Sequence, residues 1–180
     1  MAADGLDGSL AAAMRGGRET MDPSGKALAD VRSPLLRQIH DYWLEKRGTK
    51  LMPARADLDP LDIPRLLPNI ILMDVMPADN RLHVRLVGTL VVEMFGADYT
   101  GQFLDEIDFG EVREKVLDDY NAAVTAARPL FSDHRFRKLG GHLFDIERVI
   151  LPLSSDGCQV HMLLALLDFT PRDTRPSAHS

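Results

Sequence analysis

The chain has 180 residues, 45% of them hydrophobic and 27% charged, which suits one globular domain with a core of its own. Its 21 Lys and Arg stand against 27 Asp and Glu, a net charge of −6. That balance argues against a general nucleic-acid-binding role, because phosphate contacts need a basic surface.

A single cysteine, Cys158, leaves no intrachain disulfide and argues against a cysteine-built zinc site. No apolar run reaches the length of a membrane span. The start Met1-Ala-Ala-Asp-Gly-Leu-Asp7 lacks the basic and then apolar pattern of a secretory signal. The default compartment is therefore the cytoplasm. Residues 1–32 show no sustained periodicity and are expected to form a flexible tail, as are residues 170–180, leaving a domain over 33–169.

Ser33 followed by Pro34 is an N-cap and first-position pair. Leu36, Ile39, His40 and Trp43 then recur at helical spacing until Gly48. This stripe has two readings, packing on the domain's own core or a self-association face. Asp59 and Pro60 open a short helix that Pro68 closes. Residues 69–76 form a β-type apolar run, and after the turn 77–80 residues 81–87 alternate strictly. Leu82, Val84 and Leu86 share one face there, and Arg81, His83 and Arg85 the other. The two runs predict a hairpin.

Gly88 breaks the strand by permitting a sharp turn, Thr89 is a candidate N-cap for residues 90–95, and Gly96 is a stop. Asp108 and Glu111 have capping-box spacing before a longer helix that carries Val116, Tyr120 and Ala123 on its apolar face. Arg128-Pro129 ends it. Residues 130–138, 142–153 and 158–169 then predict a three-stranded meander. The fold class is α+β, with one antiparallel sheet and helices packed on one face.

Two strands, a helical middle and three strands is the order of a PAS domain. Arg85-Leu-Val-Gly-Thr89, Phe95-Gly-Ala-Asp-Tyr-Thr-Gly101 and Leu151-Pro-Leu-Ser-Ser-Asp-Gly157 resemble landmarks of a PAS family common in alphaproteobacteria and formerly catalogued as a domain of unknown function. The opening Leu36-Arg-Gln-Ile-His-Asp-Tyr-Trp43 and Asp62-Ile-Pro-Arg-Leu-Leu-Pro68 resemble it too. The resemblance implies a five-stranded antiparallel sheet of order 2-1-5-4-3, an extra N-terminal helix and a ligand-capable cavity. It also implies sensing or protein–protein signalling, without identifying a ligand. Candidate cavity residues are Arg85, Thr89, Val92, Phe95, Phe103, Tyr120, Phe144 and Ile146, with Val91, Met94, Leu104, Val116 and Leu164 as further apolar lining. Candidate interface residues, for an unidentified signalling protein or a homodimer, are Leu36, Ile39, Tyr42 and Trp43.

No catalytic motif is present: no G-x-S-x-G, no H-E-x-x-H and no phosphate-binding G-x-x-x-x-G-K. The histidines show no i,i+4 helical pair, so no metal site is assigned. Among PAS cofactors, haem is disfavoured because the helix before the third strand contains no His. Flavin is disfavoured because Cys158 lies outside the motif that photosensor domains use. Arg81 with Arg85, and Arg135 with Arg137, are rows that either hold an anion or pair with acids such as Asp74, Asp145 and Glu147. The expected function is a non-catalytic sensory module without a fused output domain, acting through protein contact and responsive to a small ligand. Two alternatives remain, a small enzyme on a cone-shaped α+β fold and a structural partner with a filled core.

Overall fold

Ser33 caps the first helix as its sequence predicts. Its hydroxyl accepts the Leu36 N–H at 3.3 Å, and Pro34 supplies the first helical residue. In the computed structural model, which describes residues 25–172, helix α1 runs Pro34–Arg47 and stops at Gly48 with φ 55°. A segment of short 3-10 turns follows, one of them capped by Asp59, which accepts the Leu61 N–H at 2.9 Å. Strands β1 (Ile70–Val75) and β2 (Leu82–Val87) form the expected hairpin. Helices α2 (Thr89–Phe95) and α3 (Arg113–Ala126) come next, then β3 (Leu130–Arg137), β4 (Leu143–Leu153) and β5 (Met162–Pro171). The sheet order is β2-β1-β5-β4-β3, with every neighbouring pair antiparallel. This is the order the PAS resemblance implies.

The helices do not all lie on one side. Helices α2 and α3 cover one face of the sheet, over Met73, Val84, Ile146, Ile150, Leu163 and Ala165. Helix α1 covers the opposite face, where Leu36, Ile39 and Trp43 pack on Leu72, Val149, Leu151, Leu164 and Leu166. The second half of β4, residues 149–153, and residues 163–167 of β5 are thus buried on both faces, which is why these stretches read as continuous apolar runs rather than alternating ones.

Three local expectations change. A register shift between Leu72 and Met73 leaves Arg85 without a direct partner on β1. Such a bulge reverses side-chain parity. Leu86 is accordingly 45% exposed, and Val87 turns to the inner side instead. Thr89 is the first residue of α2 rather than its cap; Gly88 holds the cap position. Asp108 accepts the Gly110 N–H at 2.8 Å in a tight turn, and α3 has no side-chain cap.

Gly88 is required for a different reason from the one its turn position suggests. Its φ is an ordinary −64°. A methyl group at this position would overlap the Pro68 carbonyl oxygen and come within 2.6 Å of that of Leu67. The Gly88 N–H also donates to Ile70 O at 2.7 Å. Backbone meets backbone here, so nothing can swing aside. Gly88→Ala is expected to cost about 1–3 kcal/mol through forced separation of the two segments, measured as a lowered thermal midpoint.

Residues 25–32, which the sequence assigns to a tail, lie against the sheet. Lys26 forms an isolated bridge with Phe131, and Val31 is buried. Glu147 on β4 gathers this segment: it accepts the Ser33 N–H at 2.7 Å, the Arg32 N–H at 3.2 Å and the Lys26 ammonium at 2.5 Å. Burial alone would raise its carboxyl, but the hydrogen bonds from Lys26, Arg32 and Ser33 outweigh that and hold its pKa at about 2 against the usual 4.5. A depressed carboxylate stabilises the fold fully above the unfolded value and loses that contribution as pH falls through the folded one. The stability gap between the wild type and Glu147→Gln is therefore expected to be widest above pH 4.5 and to close as the pH approaches 2. Thermal midpoints of both proteins across that range measure it. Residues 1–24 and 173–180, the rest of the two expected tails, lie outside the described residues.

Candidate functional site

Helix α3 lays Val116, Asp119, Tyr120 and Ala123 against the sheet. Three of these are the apolar stripe the sequence shows. Asp119 is the fourth, and it is 1% exposed. An isolated carboxylate at such depth is costly unless paired. Its partner is Arg148 on β4, itself 2% exposed, whose Nη2 donates to Asp119 Oδ2 at 2.7 Å. The same guanidinium donates through Nε and Nη2 to the Ser132 hydroxyl at 3.3 and 3.1 Å. Its central carbon lies 4.7 Å from the Tyr120 ring centroid. Lys115, one turn before Asp119, donates to the same carboxylate at 2.9 Å.

Beside this cluster lies a half-open cavity of about 620 Å³, bounded by the inner sheet face, α2, α3 and the segment between them. Ile71, Met73, Val84, Leu104, Val116 and Leu167 form its apolar wall, and Phe95, Tyr99 and Phe136 an aromatic one. Phe95 makes edge contacts with Phe136 and Phe169, at centroid distances of 5.1 and 5.8 Å. Tyr120, His134 and Arg148 form a polar end. The His134 Nδ1 is buried without a hydrogen-bond partner. Burial, with the charges of Arg148 and Lys115 nearby, pushes the imidazole pKa down to about 4, so His134 is neutral at neutral pH. Burial likewise pushes the Tyr120 phenol up.

Of the residues named from sequence, Phe95, Tyr120, Leu104 and Val116 line this cavity. Ile146 and Val91 are buried in the core around it, and Met94 is buried too, but none of the three forms its wall. Arg85 is exposed, lies outside the cavity lining and pairs with Asp74 at 3.3 Å. Thr89 is exposed, and Val92 and Phe144 are half-buried away from the cavity. Phe103 lies under the Arg81 guanidinium, 3.9 Å from ring centroid to central carbon. Arg81 also bonds Asp105 and Glu106 at 2.8 Å, so it clamps β2 to the segment before α3. Leu164 belongs to the opposite face; Leu163, Ala165 and Leu167 point inward on β5.

The proposed interface stripe is mostly core. Leu36 and Ile39 are 1% exposed, and Trp43 is 2% exposed and donates its indole N–H to Pro152 O at 2.9 Å. Tyr42 alone of the four reaches the surface, with its hydroxyl on Asp59 and Asp62. Cys158 is exposed in the β4–β5 connection, away from the cavity. No group of three metal-ligating side chains occurs among the described residues. None of their helices is long and apolar enough to cross a membrane.

Asp119, Arg148 and His134 were not picked out by sequence reasoning as a unit. A signal for the first two was available. Asp119 falls in the phase of Val116, Tyr120 and Ala123, and Arg148 in the alternation of Ile146 and Ile150. Opposite charges at core positions of two elements are the mark of a buried pair.

The PAS domain family matches residues 31–167, most of the sequence, and the chain belongs to that family. Among solved structures it is similar to a light-oxygen-voltage domain studied with a flavin analogue, at 13% identity and a TM-score of 0.49, covering 63% of this chain and 84% of that one. It is also similar to the LOV protein of Rhodobacter sphaeroides, at 16% identity and a TM-score of 0.47, covering 65% and 71%. A PAS domain of a Colwellia psychrerythraea protein shares 15% identity with a TM-score of 0.44, covering 62% and 97%. No curated protein matches.

Proposed function

We propose that this PAS protein is a non-catalytic sensory module that reports the occupancy of its cavity through contact with a signalling partner. The observation that carries this is the cavity of about 620 Å³ with a buried guanidinium in its wall. Concave apolar and aromatic walls that converge on a few polar groups are the ordinary make-up of a small-molecule site. Strand β4 gives the signal a route. Arg148 faces the cavity, while its neighbour Glu147 faces the other side and holds the segment leading into α1. A shift of β4 on one face is therefore felt at the start of α1 on the other. The partner surface is the outer side of α1 and the loop after it, including Tyr42. Catalysis has little support, because among the described residues the carboxylates of the lining, Asp108 and Glu111, are exposed and the buried Asp119 behind it is already bonded to Arg148 and Lys115.

Val116→Phe tests this reading by filling the cavity from α3. An open site accepts the ring with stability kept or raised, and amide exchange at Arg32 and Ser33 changes with it. A filled core instead loses about 1–3 kcal/mol to overpacking, and that result sinks the reading in favour of a purely structural partner.

A further inference from the structure

The wall chemistry of the cavity is divided. One side is aliphatic, with Ile71, Met73, Val84, Leu104, Val116 and Leu167. The other end places the Arg148 guanidinium, the Tyr120 phenol and the His134 imidazole around one space. Ser132 and Arg148 are directly paired across β3 and β4, and His134 is the next residue on the same face of β3, diagonal to Arg148. Both side chains therefore approach one point from adjacent strands.

These groups are not fully used by the protein itself. The Asp119 and Ser132 bonds run from Arg148 Nε and Nη2, and the same guanidinium also acts on the Tyr120 hydroxyl. His134 Nδ1 is buried with no partner. The whole lining carries Arg135, Arg137, Arg148 and Arg172 against Asp108 and Glu111, in a chain whose net charge is −6. Of these, Arg172 is held by Asp145 at 3.5 Å and Arg137 donates to Gly141 O at 3.3 Å. Arg148 is likewise paired, with Asp119.

We propose that the cavity takes a small amphiphilic organic acid, whose apolar body lies on the aliphatic wall and whose one carboxylate docks between Arg148 and His134. A carboxylate accepts from a guanidinium and from an imidazole N–H through charge-assisted bonds, about twice as strong as neutral ones. A basic ligand would meet Arg148 and gain nothing. A wholly apolar one would leave the polar end of the cavity unmatched.

The inference rests on the cavity being a ligand site, and its test separates the two. Isothermal titration of the full chain would compare octanoate and naphthalene-2-carboxylate with their primary amides, which keep the shape and the carbonyl but lose the charge. The acids are expected to bind about tenfold tighter than the amides. His134→Leu narrows that preference. The double variant Arg148→Met with Asp119→Leu, which leaves no buried charge unpaired because Lys115 is partly exposed, removes it while amide affinity persists. Equal affinity for acids and amides overturns the acid assignment and leaves the ligand site standing. Binding of none of the four also overturns the assignment, and the Val116→Phe result then decides whether the site itself survives.

Discussion

Asp119→Ala is expected to lower the unfolding free energy by about 3–5 kcal/mol, the cost of leaving one buried charge without its partner. Arg148 is 2% exposed and would be left without its carboxylate partner. Ser132 offers it only a neutral hydroxyl. The loss reads directly in the midpoint of a urea or guanidinium titration at unchanged slope. Arg148→Met alone strands Asp119 in the same way, although Lys115, which is partly exposed, still bonds that carboxylate at 2.9 Å. Removing both charges, with Asp119→Leu and Arg148→Met, is expected to restore most of the stability, because paired burial is costly for both ions. If each single variant is near wild type, the pair is not the buried pillar the distances describe.

Trp43→Ala is the second large effect. It deletes the largest buried side chain of the outer layer and its bond to Pro152 O, for a loss of about 3–5 kcal/mol. Trp43→Phe keeps most of the volume and is expected to cost far less, mainly the missing bond to a buried carbonyl. The association state, followed by light scattering on a sizing column, is expected to stay the same in both variants. A change in association at unchanged stability would instead make Trp43 an interface anchor, as the helical stripe first suggested.

That ambiguity shows where sequence reasoning stops. Element order, the Ser33 cap, the hairpin of residues 69–87 and the meander were all legible, because each depends on local propensity and turn chemistry. The PAS resemblance supplied the strand order. Which face an element presents was harder to see. Leu164 and Leu163 cannot be told apart by alternation in a strand apolar on both sides. The bulge at Leu72 and Met73, which inverts Leu86 and Val87, leaves no mark in the composition of β2. Helix α1 reads as amphipathic whether its apolar stripe meets a partner or its own sheet. Gly88 was recognised as necessary, but the approaching Pro68 carbonyl comes from a distant segment that no local rule reveals. The cavity's polar end was missed because Asp119 and Arg148 lie 29 residues apart, and each alone looks like a surface charge.

If the cavity of this PAS core is built to be occupied, native mass spectrometry of the freshly purified 180-residue chain, set against its denatured mass, gives an added mass of a small organic molecule that is lost on denaturation and reduced in Val116→Phe. A bare chain in both proteins, with Val116→Phe destabilised, would contradict it and return the cavity to the core.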